Sequence, residues 1–160
     1  TDPNRIVLRG CSAGGTIACA ALNESVKTNI NNFASVIAEN PFLDCLTTMQ
    51  DHSIALVKQE LSEWGDPSSS IECYNALKRF SPYDNIQKTE TPLLLFSSLN
   101  DKRCQYFEAA KYAAKSRSLG NEVFLWTDMN GSHCKGGNGG RTSDLERLAM
   151  QYAFILYNGK

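Results

Sequence analysis

Ser12 stands in Gly10-Cys11-Ser12-Ala13-Gly14, a G-x-S-x-G arrangement that presents a hydroxyl at a sharp turn between a strand and a helix. A serine hydroxyl attacks a carbonyl carbon efficiently only when a base takes its proton, and that base needs an orienting carboxylate. The chain has two histidines, His52 and His133. His133 lies in Asn130-Gly131-Ser132-His133, just past the apolar run Glu122 to Thr127. His52 lies in Gln50-Asp51-His52-Ser53, amid helical sequence, and reads as a solvated surface side chain. Active sites of open parallel sheets gather at the carboxyl ends of strands, so His133 is the expected base. Asp101 follows the run Pro92 to Ser97 and completes the chain order Ser…Asp…His, which makes it the expected acid. Asp128 reads instead as a turn or capping residue, and Asp44 and Asp84 as helix caps.

The chemistry that such a trio supports is acyl transfer. The free N–H groups of the following helix, Ala13 first, are then aimed at the developing oxyanion. Side chains at Gly10 and Gly14 are expected to collide with the turn or the neighbouring strand. The turn is not a phosphate loop, because the lysine of G-x-x-x-x-G-K-[ST] is missing.

These residues need a scaffold that brings distant positions to one edge. Four runs read as strands covered on both faces: Arg5 to Arg9, Phe33 to Ala38, Pro92 to Ser97 and Glu122 to Thr127. Helical stretches follow at Ala13 to Glu24, Ala109 to Leu119 and Thr142 to Tyr157, the last with one apolar stripe. Strand and helix alternate with crossovers long enough for a parallel α/β sheet. The connection from Asn40 to Thr91 is longer. It reads as two helical pieces, Leu46 to Leu61 and Ser70 to Phe80, separated by Trp64-Gly65-Asp66-Pro67. An insertion of that size above a sheet is expected to build part of a pocket.

The 160 residues suit one domain with one core, without repeats or linkers. Sixteen Lys and Arg against seventeen Asp and Glu leave a net charge of −1, which argues against nucleic acid as a partner. No apolar run approaches the ~20 residues of a membrane span, and Thr1-Asp2-Pro3-Asn4 does not open a signal peptide. The six cysteines, Cys11, Cys19, Cys45, Cys73, Cys104 and Cys134, show no C-x-x-C and no zinc-like pairing. The expectation is a reduced, cytoplasmic chain with free thiols packed as small hydrophobes, no disulfide framework and no metal.

Taken together the residues resemble the prolyl oligopeptidase family of serine peptidases, its oligopeptidase B branch in particular. The resemblance runs through Gly10-Cys11-Ser12-Ala13-Gly14-Gly15, Asn40-Pro41-Phe42-Leu43-Asp44, Thr47-Thr48-Met49, Glu63-Trp64-Gly65-Asp66-Pro67 and Ser81-Pro82-Tyr83-Asp84-Asn85. It continues through Gln105-Tyr106-Phe107-Glu108, Ala110-Lys111, Asp128-Met129 and Met150-Gln151-Tyr152-Ala153-Phe154.

The resemblance implies an α/β-hydrolase fold, with residues 1–160 as the C-terminal part of its catalytic domain and a parallel sheet of about four strands flanked by helices. It implies that Ser12 is the nucleophile, Asp101 the orienting acid and His133 the base, acting on short peptides without cofactor or metal. By resemblance alone, Arg103 hydrogen-bonds a substrate carbonyl and Glu60 pairs with a basic side chain at the cleavage position. For Glu60 the alternative is an exposed helix charge. Ser62 stands where a second family carboxylate is expected, and Gly131-Ser132-His133-Cys134-Lys135-Gly136-Gly137 departs from the family's S-G-H-G-G.

The family's β-propeller, its early hydrolase strands and the tyrosine that completes the oxyanion hole are expected to lie outside this chain, which would pack against them. The alternatives are an esterase or thioesterase on the same triad, or a silent fragment.

Overall fold

The computed structural model describes residues 2, 5–30, 33–134 and 140–159. Its strands are β1 (Ile6–Cys11), β2 (Phe33–Glu39), β3 (Leu93–Ser98) and β4 (Val123–Asp128). All pairings are parallel, in the spatial order β1-β2-β3-β4. Each strand ends one residue or more beyond the run read from sequence, because backbone pairing continues to Cys11↔Glu39 and Ser98↔Asp128. Every residue of β3 is buried, as a central strand covered on both faces demands.

The helices are α1 (Ala13–Lys27), α2 (Cys45–Gln50), α3 (Ala55–Trp64), α4 (Ile71–Phe80), α5 (Tyr106–Ser118) and α6 (Arg141–Asn158). Alternation along the strands separates two apolar layers. On one face Val36, Ala38, Leu93 and Leu95 pack with Ala18, Cys19 and Leu22 of α1 and Ala109, Tyr112 and Ala113 of α5. On the other face Ile37, Leu94 and Phe96 meet Met150, Phe154 and Ile155 of α6. The long connection has a small core of its own, built from Cys45, Leu46, Met49, Val57 and Leu77 with Phe42 and Trp64 against it.

Three expectations need correction. The segment Leu46 to Leu61 is not one helical piece. It breaks between α2 and α3, where the Asp51 carboxylate accepts both the backbone N–H and the hydroxyl of Ser53 and closes an Asx turn that competes with the helix. The cysteines are not all free, since Cys11 and Cys134 form a disulfide while Cys19, Cys45, Cys73 and Cys104 remain thiols. The pair lies 123 residues apart, so no local spacing announced it. Gly14, finally, faces open space, and the crowding falls on Gly10, whose Cβ would sit 2.1 Å from the Gly14 carbonyl oxygen.

Candidate active site

Ser12 is the residue between β1 and α1. Its backbone is left-handed, with φ 55° and ψ −125°, a conformation that costs a non-glycine residue free energy and persists only where surroundings enforce it. Here the Ser12 N–H donates to the Glu39 carbonyl at 2.9 Å, while the Ser12 carbonyl accepts from Gly15 N–H at 2.9 Å and Thr16 N–H at 3.2 Å. The turn is therefore clamped to β2 on one side and to the first helical turn on the other. The Glu39 side chain is itself held by Arg9 of β1 and Arg147 of α6. Ala13 begins the helix, so its N–H belongs to the group without intrahelical acceptors, and it lines the same cleft as Ser12.

Asp101 follows β3 and is fully shielded from solvent. Four donors converge on its carboxylate. Oδ1 accepts from the backbone N–H groups of Arg103 at 2.8 Å and Cys104 at 3.0 Å. Oδ2 accepts from Asn40 Nδ2 at 2.8 Å and lies 2.8 Å from His133 Nδ1. A buried carboxylate survives only with such compensation. The contact to Nδ1 selects the tautomer in which Nε2 carries the lone pair, as a base for a hydroxyl requires.

Asp101 and His133 meet because the loops after β3 and β4 are stitched together. Leu99 N–H donates to the Asp128 carbonyl at 2.9 Å, and Asn100 N–H donates to the Gly131 carbonyl at 3.3 Å. Asp128, expected as a turn residue, accepts the N–H groups of Asn130 and Gly131. His52, expected at the surface, is exposed beside Asp66.

The Ser12 hydroxyl lies 3.7 Å from the Cys104 sulfur. Burial pushes that thiol up to about 12, opposed by its hydrogen bond with Ser12, so at neutral pH it stays protonated and weakly interacting. The disulfide adds a second tie, since Cys11 directly precedes Ser12 and Cys134 directly follows His133. The structure thus brings Asp101 and His133 into contact, sets Ser12 against Cys104, and joins the serine and histidine segments covalently. Lys135 to Gly137 of the histidine loop lie outside the described residues.

A cleft of about 210 Å³ opens above Ser12, lined by Ala13, Phe42, Trp64, Glu60, Glu63 and Arg103 among others. The insertion supplies one wall of it, as its length suggested. Glu60 is half-buried and accepts the Trp64 indole N–H at 3.2 Å, which orients its carboxylate. Glu63 is exposed at the rim. Glu60 and Glu63 are three apart on α3 and share a helical face, so the cleft has two carboxylates although Ser62 does not contribute. Arg103 is exposed, with its backbone N–H held by Asp101.

Sequence reasoning missed Asn40, Glu63 and the Cys11–Cys134 pair. Asn40 carried one usable signal, its position between the end of an apolar strand and Pro41, where a short amide side chain tolerates the φ of 43° found there. Among the described residues no group of three His, Cys, Asp or Glu side chains is placed to hold a metal.

A family model described as the prolyl oligopeptidase family, Peptidase_S9, matches residues 1–160. Protease 2 of Moraxella lacunata is 38% identical over 160 residues, covering 98% of this chain and 22% of that protein. Among solved structures, oligopeptidase B from Leishmania major superposes with a TM-score of 0.89 at 32% identity, covering 99% of this chain and 22% of that one. The closed form of oligopeptidase B from Trypanosoma brucei, with covalently bound antipain, gives 0.86 at 34% identity, again over 99% and 22%. The chain therefore spans about a fifth of the length of these relatives.

Proposed function

Because this chain belongs to the prolyl oligopeptidase family of hydrolases, we propose that it carries the catalytic triad of a serine-type oligopeptidase that cleaves short peptides after basic residues. The observation that supports this most is the Asp101–His133 contact at 2.8 Å, at the same sheet edge as the strained Ser12 turn.

In the proposed cycle a peptide carbonyl enters the cleft above Ser12. His133 Nε2 takes the hydroxyl proton as Ser12 Oγ attacks, and Asp101 stabilises the imidazolium that forms. The Ala13 N–H steadies the oxyanion. The imidazolium then gives its proton to the leaving amine, an acyl-enzyme remains, and water repeats the sequence to release the acid. Glu60 and Glu63 attract a guanidinium or ammonium group of the substrate. The half-buried Glu60, already oriented by Trp64, is the stronger contributor, because a desolvated carboxylate interacts more strongly than one at the rim. Arg103 offers a planar donor fork to a substrate carbonyl.

The reading extends to a propeller and early hydrolase strands packed against this segment, to a tyrosine donor supplied from there, and to a cytoplasmic setting. In the experiment that tests the triad, the intact protein is labelled with a serine-directed fluorophosphonate and assayed on matched Arg amide and ester substrates. Ser12→Ala is expected to abolish labelling and turnover. Labelling that persists in that variant removes Ser12 from the reaction, and turnover of esters with none of amides moves the assignment to an esterase.

A further inference from the structure

Each triad member is held differently. Asp101 has four donors on its two oxygens. Ser12 is clamped through its own backbone. Among the described residues, the loop that carries His133 is tied down ahead of the histidine, through Asp128, Asn130 and Gly131. Its ring contact with Asp101 sets the distance from base to acid. The approach of the base to the nucleophile is a separate coordinate, and a misplacement of about 1 Å along it costs on the order of 10² in rate.

The Cys11–Cys134 bond acts on that coordinate, because it fastens the residue before Ser12 to the residue after His133. Cys134 has a φ of 52°, a left-handed conformation that turns the chain directly after the histidine. We propose that this cystine is a positioning element of the triad, holding the His133 base over Ser12, and that its reversible reduction by small thiols throttles the enzyme. The inference rests on the triad reading given above.

The chemistry balances with a dithiol as the reductant. One thiolate of the reagent attacks a cystine sulfur, the Cys11–Cys134 bond breaks, and the other cysteine leaves as a thiolate that takes up a proton. The second thiol of the reagent then displaces the mixed disulfide. Two electrons pass from reagent to cystine, the reagent closes into its own disulfide, and both cysteines end protonated.

Within this chain Cys11 is exposed and Cys134 half-buried, so neither sulfur is sealed in its core. The neighbouring free thiols do not compete as attackers, since burial pushes Cys19 and Cys104 up to about 12 and keeps them protonated.

The test uses the intact protein. A non-reducing peptide map establishes whether Cys11 and Cys134 are joined. Amide kinetics are then measured on oxidised protein, after dithiothreitol, after reoxidation with oxidised glutathione, and for Cys134→Ser. Reduction is expected to lower kcat by tenfold or more, on the order set by small misplacements of a base, with KM nearly unchanged. Reoxidation restores the wild type, and Cys134→Ser stays slow in every redox state. An unchanged kcat in reduced protein, or a map showing both thiols free before reduction, overturns the inference. So does loss of the circular dichroism signal on reduction without recovery on reoxidation, which marks the bond as a fold staple. Fluorophosphonate labelling that survives Ser12→Ala overturns the triad and this inference together, whereas labelling that needs Ser12 beside a redox-blind kcat overturns the inference alone.

Discussion

Replacing Asp101 by Asn changes one acceptor oxygen into a donor without changing shape, at a site where every neighbour is a donor. If the new amide nitrogen takes the Oδ1 position, it faces the N–H groups of Arg103 and Cys104. Two hydrogen bonds to a charged group are then lost, at about 1.5–3 kcal/mol each. If it takes the Oδ2 position, it faces Asn40 Nδ2 and His133 Nδ1. The Asn40 clash is then single, and the histidine can escape by moving its proton to Nε2 so that Nδ1 accepts. The second arrangement is the less costly one, and it places a proton on the nitrogen that must receive the Ser12 proton. In Ser-His-Asp triads generally, this substitution lowers kcat by about 10⁴, equivalent to about 5.4 kcal/mol of transition-state stabilisation. The same fall in kcat is expected for Asp101→Asn in the intact protein, with KM changed little. The assay is steady-state kinetics on a peptide amide, with thermal unfolding run in parallel so that lost fold is not mistaken for lost tautomer. A folded Asp101→Asn protein within tenfold of the wild-type kcat refutes the assignment of Asp101 as the orienting acid.

Three further outcomes follow from the geometry. Glu60→Gln is expected to lower kcat/KM for Arg substrates by about tenfold or more, roughly the worth of one hydrogen bond to a charged group, and Glu63→Gln at the exposed rim by less; equal losses on neutral substrates remove Glu60 from the specificity pocket. Gly10→Ala forces a Cβ to within 2.1–2.7 Å of Gly14 and Gly15 backbone atoms, so a loss of about 3 kcal/mol in denaturant unfolding is expected, and a variant as stable as wild type contradicts the packing of this turn. Burial raises Glu108 above its ordinary value of 4.5, opposed by the Thr48 hydroxyl, the Asp44 N–H and Lys111. The stability linked to this carboxyl is thus fully present below about 4.5 and is lost as pH rises through the raised folded value. Glu108→Gln is expected to remove that pH-dependent loss, measured as a flatter Tm against pH than wild type; a parallel curve contradicts a perturbed Glu108.

The elements were legible because they are written locally. Continuous apolar runs marked β2 and β3, and the glycine-rich turn marked where β1 becomes α1. Helical periodicity marked α6. The break between α2 and α3 was missed because Asp51-His52-Ser53 carries no glycine or proline, and the helix there yields to a side-chain hydrogen bond rather than to a backbone restriction. The placement of Ser12, Asp101 and His133 just after the ends of β1, β3 and β4 was legible because strand order and chain order constrain it jointly. Glu60 was named from resemblance, and its position on the cleft wall beside Trp64 came from packing within the insertion.

The amino-acid order alone determined the alternation of strand and helix, the strained turn at Ser12 and which ends of which strands bear ionisable groups, because each depends on torsional preference or periodicity within about ten residues. Tertiary structure decided what those groups touch. Asn40 reaches Asp101 across 61 residues, and Cys11 reaches Cys134 across 123. Such contacts arise where loops from neighbouring strands converge in space, and no short-range pattern encodes them.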